Sequence, residues 1–265
     1  MASYDIIGNI AILKFHNNVK REEKLEQARQ ILKANPHIKT VLEKVEKVKG
    51  RLRTIKTKFL AGEKNFVTVH KEGGCLFKLD IRSCYFSPRL SHERLEVAKL
   101  VKKFKPNSKV LVMFSGVAPY PIIISKFARP KKIVSIELGR ECCKYAKENL
   151  LLNKIFSGVE IIQGDVKRII PKLKSKNEKF DIIVMPRPNL KETFLREALL
   201  VSKRGTLIIY YGFSQEKGKD KMVQDLVNSA RKLKRKIKIL NVKEAGDIAP
   251  YQHRYRIEIK VLNNI

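Results

Sequence analysis

No GxGxxG motif occurs in the 265 residues. This argues against a domain that grips a pyrophosphate through three glycines at the start of a helix. The four cysteines, Cys75, Cys84, Cys142 and Cys143, form no CxxC pair, which disfavours both a zinc site and a disulfide framework. The histidines are scattered without ligand spacing, so no metal is expected. No signal peptide opens the chain and no apolar run approaches a membrane span, so a cytoplasmic protein with no membrane partner is expected. Repeats and low-complexity segments are also missing. Acidic residues are scarce: 26 stand against 57 Lys plus Arg, a formal charge of +31. That excess goes beyond solubility and suits a polyanion such as nucleic acid. A genome or growth-temperature bias toward Lys and Ile would leave solvated charges of the same kind, and the two explanations can coexist.

What is present is a regular beat of strands and helices. The run Val110-Leu-Val-Met-Phe-Ser-Gly-Val-Ala-Pro-Tyr-Pro-Ile122 breaks an apolar strand at small residues and restarts as a helix. Apolar strands at 133–137, 159–165 and 180–185 follow, with a helix at 141–152 between the first two. Glu137 closes the second strand and Asp165 follows the third. Carboxylates so placed accept hydrogen bonds from ribose hydroxyls, while small turn residues let a ligand approach the backbone. The spacing therefore predicts a doubly wound α/β domain that binds a nucleoside cofactor of the S-adenosylmethionine type.

Upstream, the spacing predicts a compact α+β module. Two strands meet at Gly8-Asn9, a hairpin signal. A helix runs over 21–34, with Leu25, Ala28, Ile31 and Leu32 on one stripe, and stops before Pro36. Strand-like pieces follow at 40–42, 51–59, 65–70 and 75–80. Ser91 is the expected N-cap of a helix over 91–104. At the far end the expected elements are a strand at 205–211, a basic helix at 217–235 and a final antiparallel pair at 237–243 and 255–261. The expected domains are 1–90, binding RNA or substrate, and 91–265, binding cofactor.

Tyr85-Phe86-Ser87-Pro88-Arg89-Leu90 with Glu93-Arg94, and Met113-Phe114-Ser115-Gly116-Val117-Ala118-Pro119-Tyr120, resemble the archaeal and eukaryotic type of tRNA (guanine-37-N1) methyltransferase. The likeness extends to 4–12, to His70-Lys71-Glu72 with Gly74, and to Ala249-Pro250. It implies a Rossmann-like class I methyltransferase domain preceded by a small α+β domain, without the further N-terminal domain that senses the outer corner of tRNA. It also implies a monomer that uses S-adenosyl-L-methionine and acts on the anticodon stem-loop of tRNA. By this resemblance Glu93 is the general base for the guanine N1 proton, and Arg53 steadies charge gathering on O6. Guanine N1 is a weak acid, so methyl transfer needs proton removal, and a guanidinium can stabilise the resulting charge. The implied cofactor contacts are Phe114, Gly116, Val117, Pro119, Glu137 for the ribose, Asp165 for the adenine edge, and Pro188. Arg89, Arg187 and Tyr85 are the implied substrate contacts, with Tyr85, Phe86 and Tyr120 available for stacking.

Three positions depart from the family pattern. Val112 stands where an aspartate usually closes the first strand. Pro186-Arg187-Pro188 replaces Asn-Leu-Pro, and Ala118 replaces a glycine. The first two remove a polar contact near the cofactor and an amide that helps place guanine or cofactor. They keep two alternatives open: methyl or aminocarboxypropyl transfer to a modified guanine 37 in the wyosine branch, and a tRNA-binding homologue with weakened turnover.

Overall fold

The structure, a computed structural model, describes residues 3–16, 18–45, 54–190 and 192–264. Its N-terminal sheet begins with strands β1 (Ser3–Ile7) and β2 (Ile10–Lys14), which pair antiparallel across Gly8-Asn9 as expected. Helix α1 (Arg21–Ala34) buries Ala28 and Ile31. It leads to β3 (Thr40–Lys44), parallel to β2, and β4 (Thr57–Gly62), antiparallel to β3. The expected strand over 51–59 thus starts late among the described residues, and Arg53 lies outside them.

A separate hairpin, β5 (Val67–Glu72) and β6 (Cys75–Asp80), turns at Gly73-Gly74. It joins the two halves of the molecule. Gly8 donates its N–H to His70 Nδ1, and Asn9 donates its own to Thr68 Oγ1. Gly8 has φ +58°, and a Cβ there would fall 2.0 Å from Thr68 Oγ1, so both the turn and the close approach require glycine. On the other side, the side chains of Asn149 and Asn153 each donate to and accept from the β6 backbone, at Lys78 and Leu76 respectively. Two buried amides one helical turn apart therefore satisfy the free edge of β6, as a neighbouring strand would.

Helix α2 (Ser91–Phe104) opens the second half. Ser91 is its first residue. Leu90 occupies the cap position without a side-chain hydrogen bond, because a short 3₁₀ turn over Pro88–Leu90 feeds directly into the helix. Strand and helix then alternate through β7 (Lys109–Met113), α3 (Pro119–Ala128), β8 (Lys132–Glu137), α4 (Arg140–Leu152), β9 (Val159–Gln163), α5 (Val166–Ser175) and β10 (Phe180–Met185). After α6 (Leu195–Leu200) come β11 (Ser202–Ser214), α7 (Lys219–Lys232), β12 (Arg235–Ala249) and β13 (Gln252–Asn264).

The seven strands lie in the order β12-β13-β11-β10-β7-β8-β9, parallel from β11 to β9, with β13 antiparallel to both its neighbours. This is the doubly wound sheet expected from the strand and helix spacing. The central strands β7, β8 and β10 are mostly Val, Ile and Leu because both faces are covered, whereas β9 and β12 at the edges carry exposed polar residues. Ile209 and Tyr211 enter one core layer, while Ile208 and Tyr210 enter the other. The strand order reverses between β10 and β8, on either side of β7. A crevice beyond the strand ends is expected at such a switch point. Among the described residues no helix is long and apolar enough to cross a membrane.

Candidate active site

The turn after β7 contains three left-handed residues, Phe114 (φ +61°), Gly116 (φ +57°) and Ala118 (φ +67°). Glycine adopts that conformation freely; phenylalanine and alanine do so under strain of a kind that concentrates at binding sites. Glu137, at the end of β8, ties this turn to the next. Its Oε2 accepts from Gly116 N–H at 2.7 Å and its Oε1 from Gly139 N–H at 2.8 Å. Burial pushes the Glu137 carboxyl above its usual range, opposed by these backbone donors. Asp165 caps α5 by accepting from Lys167 N–H.

These groups line a cavity of about 1130 Å³, mouth included, at the switch point. Phe114, Ser115, Gly116, Pro119, Glu137 and Asp165 line one end. The loop after β10 supplies Pro186 and Pro188, and Phe194 packs edge-on against Phe114 at 4.9 Å. Ser115 Oγ is buried and has no hydrogen-bond partner among the described residues. A buried hydroxyl left unpaired beside a carboxylate and a glycine turn suits a polar, ribose-bearing ligand that completes it. An adenosyl cofactor fits this end.

The structure also places the other residues that the sequence singled out. Val117 points into the core rather than the cavity, and only its carbonyl is used, accepting from Asn149. Val112 is fully buried among apolar neighbours, so β7 offers no carboxylate at its end. Arg187 lines the cavity, but its Nε donates to Tyr210 Oη and its Nη1 to the carbonyls of Pro188 and Leu190. It is 8% exposed, so it holds its own loop rather than reaching toward a phosphate. Arg89 lies outside the cavity, exposed, and pairs with Asp5 of β1. The two adjacent cysteines diverge, the Cys142 thiol donating to Ser83 O and that of Cys143 to Glu137 O.

The rest of the cavity wall comes from residues distant in sequence. Tyr85 belongs to it, with its carbonyl oxygen 3.7 Å from where a Cβ on Gly116 would lie, as does Arg94, which forms a buried ion pair with Glu72 and donates to Ser87 O. That pair fastens the Tyr85–Leu90 segment to β5. Glu93 does not itself line the cavity; Tyr120 and Tyr211 do. Tyr120 Oη donates to Tyr211 Oη at 3.0 Å, and Tyr211 Oη donates to Glu93 Oε1 at 2.5 Å. Arg256 Nη1 donates to both carboxylate oxygens of Glu93, while its Nε donates to Glu258. Burial, reinforced by Glu93, raises the Tyr120 hydroxyl to about 12; Tyr211 is also pushed well above the ordinary range, first by burial. Both therefore stay protonated.

Arg254 also lines the cavity and stacks on Phe213, with its guanidinium 5.6 Å from the ring centroid. It has no hydrogen-bond or ion-pair partner among the described residues, unlike Arg94 and Arg187. The sequence reading did not anticipate Arg254, Arg256 or Tyr211. A signal was available for Arg256: alternation along the expected last strand puts Arg256 and Glu258 on one face, and the observed β13 starts at Gln252 and adds Arg254 to that row.

Comparison with known proteins agrees with this geometry. Residues 68–240 match the TRM5/TYW2 methyltransferase domain, and residues 1–65 match the TYW2 N-terminal domain. The chain is 34% identical to the tRNA (guanine(37)-N(1))/4-demethylwyosine(37)-methyltransferase Taw22 of Nanoarchaeum equitans, covering 98% of this chain and 100% of the relative. It is 35% identical to the tRNA 4-demethylwyosine(37)-methyltransferase Taw21 of Saccharolobus solfataricus, over 82% of this chain and 80% of the relative. The crystal structure of Trm5b from Pyrococcus abyssi superposes with a TM-score of 0.84 at 32% identity, covering 98% of this chain and 75% of that one. With a doubly wound sheet, a carboxylate-bridged turn at its switch point and a family match over most of its length, the chain belongs to the TRM5/TYW2 methyltransferase family.

Proposed function

We propose that the protein transfers a methyl group from S-adenosyl-L-methionine to N1 of guanine 37 in the anticodon loop of tRNA. The observation that carries this reading is the cavity itself, whose wall brings Glu137, Asp165 and Ser115 together with Tyr211, whose hydroxyl is bonded to the buried Glu93, and with Arg254, which has no partner among the described residues. The cofactor supplies an electrophilic methyl group on a sulfonium. Glu137, Asp165 and Ser115 bind its polar groups, and Phe114, Pro119 and Pro188 exclude water around it. Glu93 is the sink for the N1 proton, and Arg254 faces the charge that gathers on O6 as that proton leaves. Arg254 is the described guanidinium available for this task; Arg53 remains a second candidate outside the described residues.

The net charge of +31 supports tRNA as the partner, through counterion release from phosphates. Affinity for tRNA is therefore expected to fall steeply with added salt, and salt-independent binding would contradict it. The target edge is inaccessible in a duplex, so the base must be splayed out of the anticodon loop to enter the cavity.

Methylation of 4-demethylwyosine at position 37 is a second reading. It is favoured by the Pro186-Arg187-Pro188 loop, which offers no side-chain amide to a guanine edge, and by the relatives named for that substrate. Mass spectrometry of nucleosides from two tRNAs, one bearing guanine and one 4-demethylwyosine at position 37, separates the readings. One added methyl on guanine supports the first reading. Methylation of the tricyclic base alone supports the second, and an added aminocarboxypropyl mass overturns both.

A further inference from the structure

We infer that Tyr211 is the group through which the substrate proton reaches Glu93, with Tyr120 as the residue that orients it. This deepens the proposed methyl transfer and rests on that reading. The argument begins with position. Glu93 is 7% exposed and its carboxylate lies behind the cavity wall rather than in it. Arg256 holds both of its oxygens, which resists swinging the side chain outward: that motion would leave Arg256, 3% exposed, with an unpaired charge. A base that cannot approach the substrate needs a carrier. Tyr211 lines the cavity and already directs its hydroxyl proton at Glu93 Oε1.

Tyr120 completes the alignment. By donating to Tyr211 Oη it occupies one lone pair of that oxygen and keeps the Tyr211 proton on Glu93, leaving the other lone pair to accept from a substrate N–H. The charged groups around the relay are Glu93 and Arg94 from α2, Arg254 and Arg256 from β13, and Glu258 behind Arg256. In the proposed step the substrate N–H bond breaks and its proton passes to Tyr211 Oη. The Tyr211 O–H bond breaks as its proton passes to Glu93 Oε1. The electron pair freed on nitrogen forms the bond to the methyl carbon, and the C–S pair returns to sulfur as a neutral thioether. Because both phenols resist ionisation, no tyrosinate accumulates and the two transfers move together.

Single-turnover methyl transfer to a tRNA transcript with guanine 37, measured from neutral to alkaline pH, tests this. Glu93→Gln and Tyr211→Phe should each lose about a hundredfold near neutrality and recover alike as the base arrives already deprotonated. The double variant should be no slower than the slower single variant, since one path has been cut twice. Tyr120→Phe should lose less and keep the same pH profile. Wild-type rates for Tyr211→Phe beside a slow Glu93→Gln would overturn the relay and leave the proton sink standing. Wild-type rates for both, or a wild-type enzyme that leaves guanine unmodified, would overturn the two together. A proton inventory of the wild type in mixed H₂O and D₂O needs no variant: two protons in flight give a curved dependence on deuterium fraction, and a straight line overturns the relay.

Discussion

Two carboxylates of the molecule, Glu137 and Glu93, are held differently, the first by backbone and the second by side chains. Glu137 is met by N–H groups of Gly116 and Gly139, dipoles that form part of turns dictated by β7 and β8. Glu93 is met by Arg256 and Tyr211, side chains from β13 and β11 that reach it only because the sheet brings them under α2. A carboxylate held by backbone N–H groups tolerates changes elsewhere in the fold. One held by a buried guanidinium depends on every member of the network.

The strongest way to break this contrast is Arg256→Met. It leaves Glu93 buried without its countercharge, and a loss of about 3–5 kcal/mol in unfolding free energy is expected, read by urea denaturation. A change under 1 kcal/mol would mean that the network is not a structural unit. Next comes Arg254→Ala. Because Arg254 has no hydrogen-bond or ion-pair partner among the described residues, its removal should spare stability yet slow methyl transfer by about a hundredfold, with little recovery at high pH, since charge on O6 still needs a partner. Full recovery at high pH would assign it to proton removal instead.

At the other carboxylate, Glu137→Ala should weaken S-adenosylmethionine binding by about 1.5–3 kcal/mol, the worth of a charge-assisted hydrogen bond, as read by calorimetry, with tRNA affinity unchanged. Equal weakening of both ligands would erase the distinction between the two carboxylates. The smallest effect is expected from Ala118→Gly. Relief of left-handed strain, less the extra freedom of glycine in the unfolded chain, should raise stability by about 0.5–1 kcal/mol. A thermal melt showing destabilisation would mean that the Ala118 methyl contributes more packing than its φ costs.

Individual elements show where sequence reading succeeded. Helix α1 lies over the residues that its apolar stripe indicated, and the first hairpin turns at Gly8-Asn9, where a glycine and an asparagine interrupt the apolar run. Strand ends moved by a few residues; β11 runs from Ser202 to Ser214, past both ends of its apolar stretch, because pairing with β13 continues to Ser214. Arg187 shows the limit. A cation in a substrate loop suggests a phosphate contact, but nothing local reveals that Tyr210 and two carbonyls of its own loop will take its protons.

The sequence by itself determined the alternation of strands and helices, the order in which they are joined, and the residues of the turn after β7. These depend on hydrophobic period, backbone conformation and neighbours a few positions apart. Only the tertiary structure decided which charges meet around Glu93. Glu93 and Arg256 are 163 positions apart, and Glu93 and Tyr211 118. Their contact follows from strand order and from which face of β11 and β13 turns toward α2, and no local pattern encodes a distance across a sheet.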